Sequence, residues 1–318
     1  MKKMSKKKIG LISAIVILLI IIGSIVSYTY YLSSKVERVE VDRNDVTNTG
    51  KEAPKEADDV ITIALFGSDF SELYEVSAAD ATMILSIDTK NNNIKLCSLM
   101  RDIYLDLPQG GKMNLNYTIL DDGPSSILKA INYNFNLKID KFVQVDLARL
   151  PKIIDALGGV EIEITPEELE YINGYIDNID KNNGTTTTHI TTSGMQLLNG
   201  TQASAYCRIR YTAGRDFKRT ERQRDVLNAL FVKFKDINLT EIPSLINNVL
   251  PLVTTNLSNS EIISISSKAL GMGLSNIEQG RFPSDENIIS AGFTDMYHTN
   301  IDIEETTKEL HKFLFTME

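Results

Sequence analysis

The chain has 318 residues, 42% of them hydrophobic and 24% charged, and a net charge of −9. Five lysines fall within the first eight residues, which leaves −14 on everything beyond them. That balance excludes a protein that tracks nucleic acid, because such proteins carry a basic domain rather than a basic tip. Two cysteines, Cys97 and Cys207, are too few for a disulfide framework. They read better as buried thiols packing as small hydrophobes, although an external protein could also join them.

Residues 1–8 form a basic cytoplasmic tail. From 9 to 31 no charged residue occurs, and the run closes on Tyr28, Tyr30 and Tyr31. Such a run meets the roughly 20 residues a bilayer core requires; the lysines hold its start in the cytoplasm and the tyrosines suit the outer interface. The expectation is one transmembrane helix at 9–31, with a single-pass type II topology in the cell membrane. A cleaved signal peptide is the competing reading, but the apolar run exceeds the usual ~7–15 residues and no Ala-x-Ala site follows Ser27. Residues 32–59 are polar and charged with scattered valines, and read as an extracellular linker to a domain at 60–318.

Within that domain, strand signals fall at 60–66, 81–87, 94–99, 141–145 and 160–164, each short and rich in β-branched or alternating apolar residues. The polar stretch 88–93 predicts a hairpin turn, which makes the sheet mixed. Helices are expected at 125–137 and 147–157, the second capped by Gly158 and Gly159. The Thr-rich segment 185–193 reads as an extended loop. Further helices are expected at 217–237, 242–253, 261–270 and 304–315, with a short strand at 277–282. The fold class is therefore α/β, a mixed central sheet flanked by helices.

Six of the eleven arginines lie between Arg208 and Arg224. Arginine presents a planar fork that matches phosphate oxygens in pairs and never loses its charge. Arg208 and Arg210 flank Ile209, as on one face of a strand, while Arg219, Arg222 and Gln223 recur at helical spacing. An apolar stripe from Val226 to Ile237 puts these arginines at the N-terminal end of a helix, where unpaired N–H groups and the dipole also favour anions. Asp69 follows the first strand and Asp80 precedes the second, so both stand at the rim of the sheet. Carboxylates facing arginines suit a hard cation such as Mg²⁺, which takes one or two carboxylates plus phosphate oxygens. His189, His298 and His311 share no metal spacing, and no Gly-x-Ser-x-Gly elbow occurs.

Taken in order, Phe66-Gly-Ser-Asp69, Asp80-Ala-Thr-Met, Ser98-Leu-Met-Arg-Asp102, Lys112-Met-Asn-Leu-Asn, Asp155-Ala-Leu-Gly-Gly159, Tyr206-Cys-Arg-Ile-Arg210 and Asp216-Phe-Lys-Arg-Thr-Glu-Arg-Gln223 make a specific pattern. The sequence resembles the LytR-CpsA-Psr family over about residues 9–235. That resemblance implies a membrane-anchored enzyme of a mostly Gram-positive lineage, with an extracellular domain that moves a glycopolymer from a polyprenyl-pyrophosphate carrier to peptidoglycan. It further implies that Arg101, Arg208, Arg210 and Arg219 hold the pyrophosphate and that Asp69 and Asp80 place Mg²⁺ or assist the incoming hydroxyl. Asp216, Arg222, Gln223 and Lys112 support the site. Where relatives carry an arginine and then a Thr or Ser around the second aspartate, this chain has Ala78 and Ala81. A polyprenyl-pyrophosphate phosphatase and a non-catalytic binding or regulatory protein are the alternatives. The residues of a lipid groove cannot be picked out, because groove and core share the same apolar stripes.

Overall fold

The structure is a computed structural model and describes residues 31, 35–71, 76–212, 215–235, 242–272, 277–293 and 296–315. Its central sheet has seven strands: β1 (Glu37–Arg38), β2 (Ile61–Ser71), β3 (Val76–Asp88), β4 (Asn93–Leu99), β7 (Phe142–Asp146), β10 (Val253–Thr255) and β11 (Ile277–Phe282). Two-stranded ribbons β5–β6 (Tyr104–Asp106, Lys112–Asn114), β8–β9 (Val160–Ile164, Gly194–Leu198) and β12–β13 (Ile288–Phe293, Tyr297–Ile301) lie outside it. The spatial order is β1-β10-β7-β2-β3-β4-β11. β1/β10, β7/β2 and β4/β11 are parallel and the other pairs antiparallel, so the sheet is mixed. The turn at 88–93 is the expected hairpin: Asp88 Oδ1 accepts from the Lys90 and Asn91 amides at 3.0 and 2.9 Å, and Asn92 takes a left-handed φ of 51°.

The longer helices among the described residues are α1 (Pro124–Phe135), α2 (Leu150–Ala156), α3 (Pro166–Asn183), α4 (Gly200–Arg208), α5 (Arg215–Lys235), α6 (Ile242–Val249), α7 (Asn259–Met272) and α8 (Ile303–Phe315). On one face of the sheet Ala64, Phe66, Ile84, Cys97 and Leu99 pack solidly against Ile127, Ile131 and Phe135 of α1 and Leu310 and Leu314 of α8. Alternate residues of the same strands, Ile63, Leu85, Ile87 and Ile94, face the other way, toward α5 and α7. A second core joins α2, α3, α4 and α5 to the β8–β9 ribbon through Ile154, Ile162, Ile172, Ile176, Ala203 and Val226. The connection from α2 to β8 turns at Gly158 and Gly159, with φ of 77° and 87°; a Cβ on Gly159 would stand 2.6 Å from the Leu198 carbonyl.

Two of these helices were not expected. α3 opens with a capping box in which Thr165 and Glu168 satisfy each other's backbone amides, and it closes on left-handed Gly184. Its buried stripe is narrow, Ile172, Ile176 and Ile179 among many polar residues, which hides the helical period. α4 likewise starts in a capping box, Asn199 with Gln202, and runs through Arg208. The strand expected around Cys207 and Arg210 is corrected by this helix: four alternating residues fit either element, and the strong N-cap decides. Ile209, which follows the helix, is extended, φ −61° and ψ 125°, and fully buried.

Residues ahead of β2 are packed against the domain. β1 pairs with β10, Val36 and Val46 are buried, and Arg43 bridges Glu261 at 2.6 Å, holding that carboxyl down at about 2 through its hydrogen bonds. The expected span at 9–31 lies outside the described residues except for Tyr31; among the described residues no helix is long and apolar enough to cross a membrane.

Candidate functional site

β2 and β3 both run further than their neighbours. β7 pairs with β2 only as far as Ser68, and β4 with β3 only from Thr82, so residues 69–71 and 76–81 pair only within the β2–β3 ribbon. Asp69 and Asp80 therefore lie inside a protruding ribbon at the rim, rather than just past a strand end and just before one. Register shifts in this ribbon: Gly67 faces Ala81 and Ser68 faces Ala79, which leaves Asp80 as the extra residue of a β-bulge. A bulge turns a side chain out of the regular alternation, the usual device where a strand must aim a functional group. Gly67 suits the crossing, because a Cβ there would meet Leu147 Cδ2 at 2.9 Å and Ala81 Cβ at 3.1 Å.

Two arginines converge on this bulge. Arg101, in the turn after β4, donates from Nη1 to Asp80 Oδ1 at 2.8 Å, and both side chains retain partial exposure. Its own carbonyl is fixed by the Asn116 amide at 2.9 Å. Arg219, one turn into α5 and 2% exposed, donates to the Asp80 carbonyl at 3.1 Å. One residue thus receives a guanidinium on its carboxylate and another on its backbone. Such a pair of rigid, permanently charged forks suits a polyanion with several oxygens.

Behind the bulge lies an apolar cavity of about 180 Å³ whose walls include Gly67, Ala81, Met83, Leu147 and Val226, and whose polar lining includes Arg208 and Gln223. It adjoins a second cavity of about 340 Å³, with Val143 and Leu230 as shared walls. That larger space runs between the sheet face carrying Ile63, Leu85 and Ile87 and the helices α5 and α7. These two adjoining cavities, together the channel, are apolar with charge at one end, a form suited to a ligand with a long hydrocarbon tail and an anionic head. Cys207 lines the channel near that end, and burial pushes its thiol up to about 12.

The remaining expected residues are dispersed. Arg210 is exposed, two positions beyond the end of α4. Arg222 is 3% exposed and turned inward: it pairs with Glu168 at 2.7 Å and donates to the Ile209 carbonyl at 3.0 Å and Thr212 Oγ1 at 2.6 Å. It thereby braces the segment that carries Arg208 and Arg210. Lys112 stands on β6, 3.3 Å from Asp106. The side chains of Asp69 and Asp216 lie outside the described residues. Sequence reasoning missed two partners. Glu168 neutralises Arg222, and Arg224 crosses to β4, where its Nη1 donates to Ser98 Oγ at 2.9 Å. Arg224 belongs to the arginine run, but only its buried position separates a brace from an anion ligand.

Among the described residues no group of three or more His, Cys, Asp or Glu gathers in a way that could hold a metal ion. Of the two carboxylates expected to hold Mg²⁺, that of Asp80 already accepts from Arg101 and that of Asp69 lies outside the described residues.

Comparison with known proteins bears on the whole domain. A family model described as the LytR_cpsA_psr family matches residues 25–312. The chain is 27% identical over 318 residues to polyisoprenyl-teichoic acid–peptidoglycan teichoic acid transferase TagU of Bacillus cereus, covering 98% of this chain and 99% of that one. It is 28% identical over 241 residues to regulatory protein MsrR of Staphylococcus aureus, 75% of this chain and 69% of that protein. The structure of TagT bound to LI-WTA superposes with a TM-score of 0.63 at 20% identity, covering 87% of this chain and 99% of that one. TagV of B. subtilis gives 0.60 at 21% identity, covering 80% and 97%. Both share this fold.

Proposed function

This chain belongs to the LytR_cpsA_psr family, and we propose that it is a glycopolymer phosphotransferase, moving a glycan from a polyprenyl-pyrophosphate carrier to a hydroxyl of peptidoglycan. One observation carries the reading: an apolar channel ends at Arg208 and Gln223, beside the Asp80–Arg101–Arg219 cluster. A polyprenyl pyrophosphate matches both ends. The relative TagU is named for a polyisoprenyl-linked donor and a peptidoglycan acceptor, which agrees.

In this reading Arg101, Arg208 and Arg219 grip the pyrophosphate oxygens, with Arg210 at the exposed side. The acceptor oxygen bonds to the glycan-side phosphorus while the bridging bond to the polyprenyl phosphate breaks. Charge then grows on the leaving phosphate, where fixed guanidinium groups stabilise it without reorganising. Asp80, held by Arg101, or Asp69 takes the hydroxyl proton late, and a loose transition state asks no strong base of either. The two aspartates would hold Mg²⁺, which when bound neutralises non-bridging oxygens. Residues 9–31 anchor the domain outside the membrane. Support comes from Val36, five residues past Tyr31, which lines the apolar cavity of the channel. The chain leaving the anchor thus meets the domain where a lipid tail would enter.

The test is to incubate the full chain in detergent micelles with a short polyprenyl-pyrophosphate glycan, peptidoglycan oligomers and Mg²⁺, and to identify products by mass. Polyprenyl phosphate together with a phosphodiester-linked peptidoglycan–glycan is expected. Free glycan phosphate would make the chain a hydrolase, and unchanged donor would leave a binding protein.

A further inference from the structure

α5 has two lined faces. Gln223, Val226 and Leu230 face the channel, whereas Lys218, Glu221, Asp225 and Asn228 face a separate cavity of about 730 Å³ walled on its far side by the β8–β9 ribbon. We infer that this outer groove is a binding site for a cationic amine, of the kind carried by the stem peptide of peptidoglycan. The inference rests on the transferase reading for the identity of the ligand, but its chemistry comes from the groove.

The lining is rich in hydrogen-bond acceptors. Glu161 and Glu163 project from β8, and Asp225 stands opposite on α5, where burial raises its pKa. Asn228 Oδ1 is buried with no hydrogen-bond partner. Two further carboxylates are already neutralised, Glu168 by Arg222 at 2.7 Å and Glu221 by Lys218 at 2.8 Å. Even counting Lys233, the groove keeps a surplus of negative charge. It would therefore repel the pyrophosphate and a polyanionic glycan and accept a ligand that donates hydrogen bonds and carries positive charge.

A second observation points independently to a ligand. Tyr206 is 4% exposed and lines this groove, and among the described residues its hydroxyl makes no hydrogen bond. Its ring lies under Arg222, 5.8 Å from the guanidinium carbon, which fixes its orientation, and the charges of Glu168 and Asp225 act on it. A buried phenol normally finds a partner. An ammonium entering between Asp225 and Tyr206 would supply one. Met195, 65% exposed on β9, adds an apolar wall for the methylene stem of such an amine.

The geometry connects this groove to the reaction. Only the thickness of α5, about 10 Å, separates it from the channel, and about three residues of extended peptide span that distance. An amine held in the groove would therefore tether the wall subunit whose sugar hydroxyl is to be phosphorylated. The phosphate site would select the donor and the groove the acceptor.

The experiment titrates the full chain in micelles, without lipid donor, with a disaccharide–tripeptide bearing a free lysine side chain and with its Nε-acetylated twin. The free amine should bind at least tenfold more tightly. Asp225→Asn and Tyr206→Phe should each weaken the free-amine probe, by about tenfold and threefold respectively, the first removing most of the discrimination and the second part of it. Glu163→Gln, on the exposed edge of β8, should weaken it less and serves as the check should a buried variant misfold. In transfer assays the same changes should raise the acceptor KM and leave kcat and the donor KM unchanged. Equal affinity for the two probes, or discrimination that survives Asp225→Asn, overturns the inference. Amine-selective binding in a chain that transfers nothing would keep the groove and remove the transferase reading.

Discussion

The two faces of the central sheet are built from alternate residues of the same strands, and only one is filled. Ala64, Phe66 and Ile84 join α1 and α8 in one buried apolar cluster, whereas Ile63, Leu85 and Ile87 look into a space of about 340 Å³ beneath α5 and α7. Interiors otherwise pack at crystal-like density, so an apolar void of this size forgoes contacts that a closed core would make. The difference teaches that hydrophobicity marks where water is excluded, while the stand-off of the covering helices marks what is meant to enter.

The largest contrast should appear in stability. Phe135→Ala, on the packed side, should cost about 3–5 kcal/mol, while Leu85→Ala, whose side chain already borders empty space, should cost well under half as much. Denaturant midpoints of the two variants decide it, and equal losses would erase the distinction between the faces. Next come the charges at the channel's end. Arg101→Ala and Arg208→Ala should each weaken polyprenyl-pyrophosphate binding by roughly 10- to 150-fold, while Arg149→Ala, a half-exposed partner of Asp146 at 3.6 Å, should change it little. Uniform small effects would describe a solvated surface instead.

A smaller effect tests the void directly. Ala269→Phe fills the channel and should lower lipid affinity by about tenfold with stability held within about 1 kcal/mol, whereas Ala64→Phe overpacks the closed face and should cost about 1–3 kcal/mol. Lipid affinity that survives Ala269→Phe would mean the tail lies elsewhere. The finest probe is thiol reactivity. Burial pushes Cys97 and Cys207 to about 12, so alkylation at pH 8 should be slow and should rise about tenfold per pH unit toward that value as thiolate forms. Lipid should slow Cys207 labelling several-fold and leave Cys97 unaffected, because only Cys207 lines the channel.

Strands with clean alternation were legible from sequence: 160–164, 277–282 and the hairpin at 88–93 fall where their patterns put them. Arg101 and Arg219, expected from the family resemblance to hold a pyrophosphate, do meet at Asp80. The bulge that aims Asp80 was not, since an extra residue in one strand depends on the register of its partner. Arg222, expected to support the site, and Arg224, part of the same run of charge, act as braces through Glu168 and Ser98, partners that come close from distant parts of the chain and that the run itself does not reveal. The channel was illegible for the reason its two faces share: both read as the same valines, leucines and isoleucines.

The most direct test of the central claim is photocrosslinking with a polyprenyl pyrophosphate carrying a diazirine along its tail, mapped by peptide mass. Labels should fall on residues of the hollow face, Leu85, Leu230 and Ala269 among them, and pyrophosphate should compete in proportion to the contacts at Arg101 and Arg208. Labels spread over the outer surface, or concentrated on α1 and α8, would contradict the account.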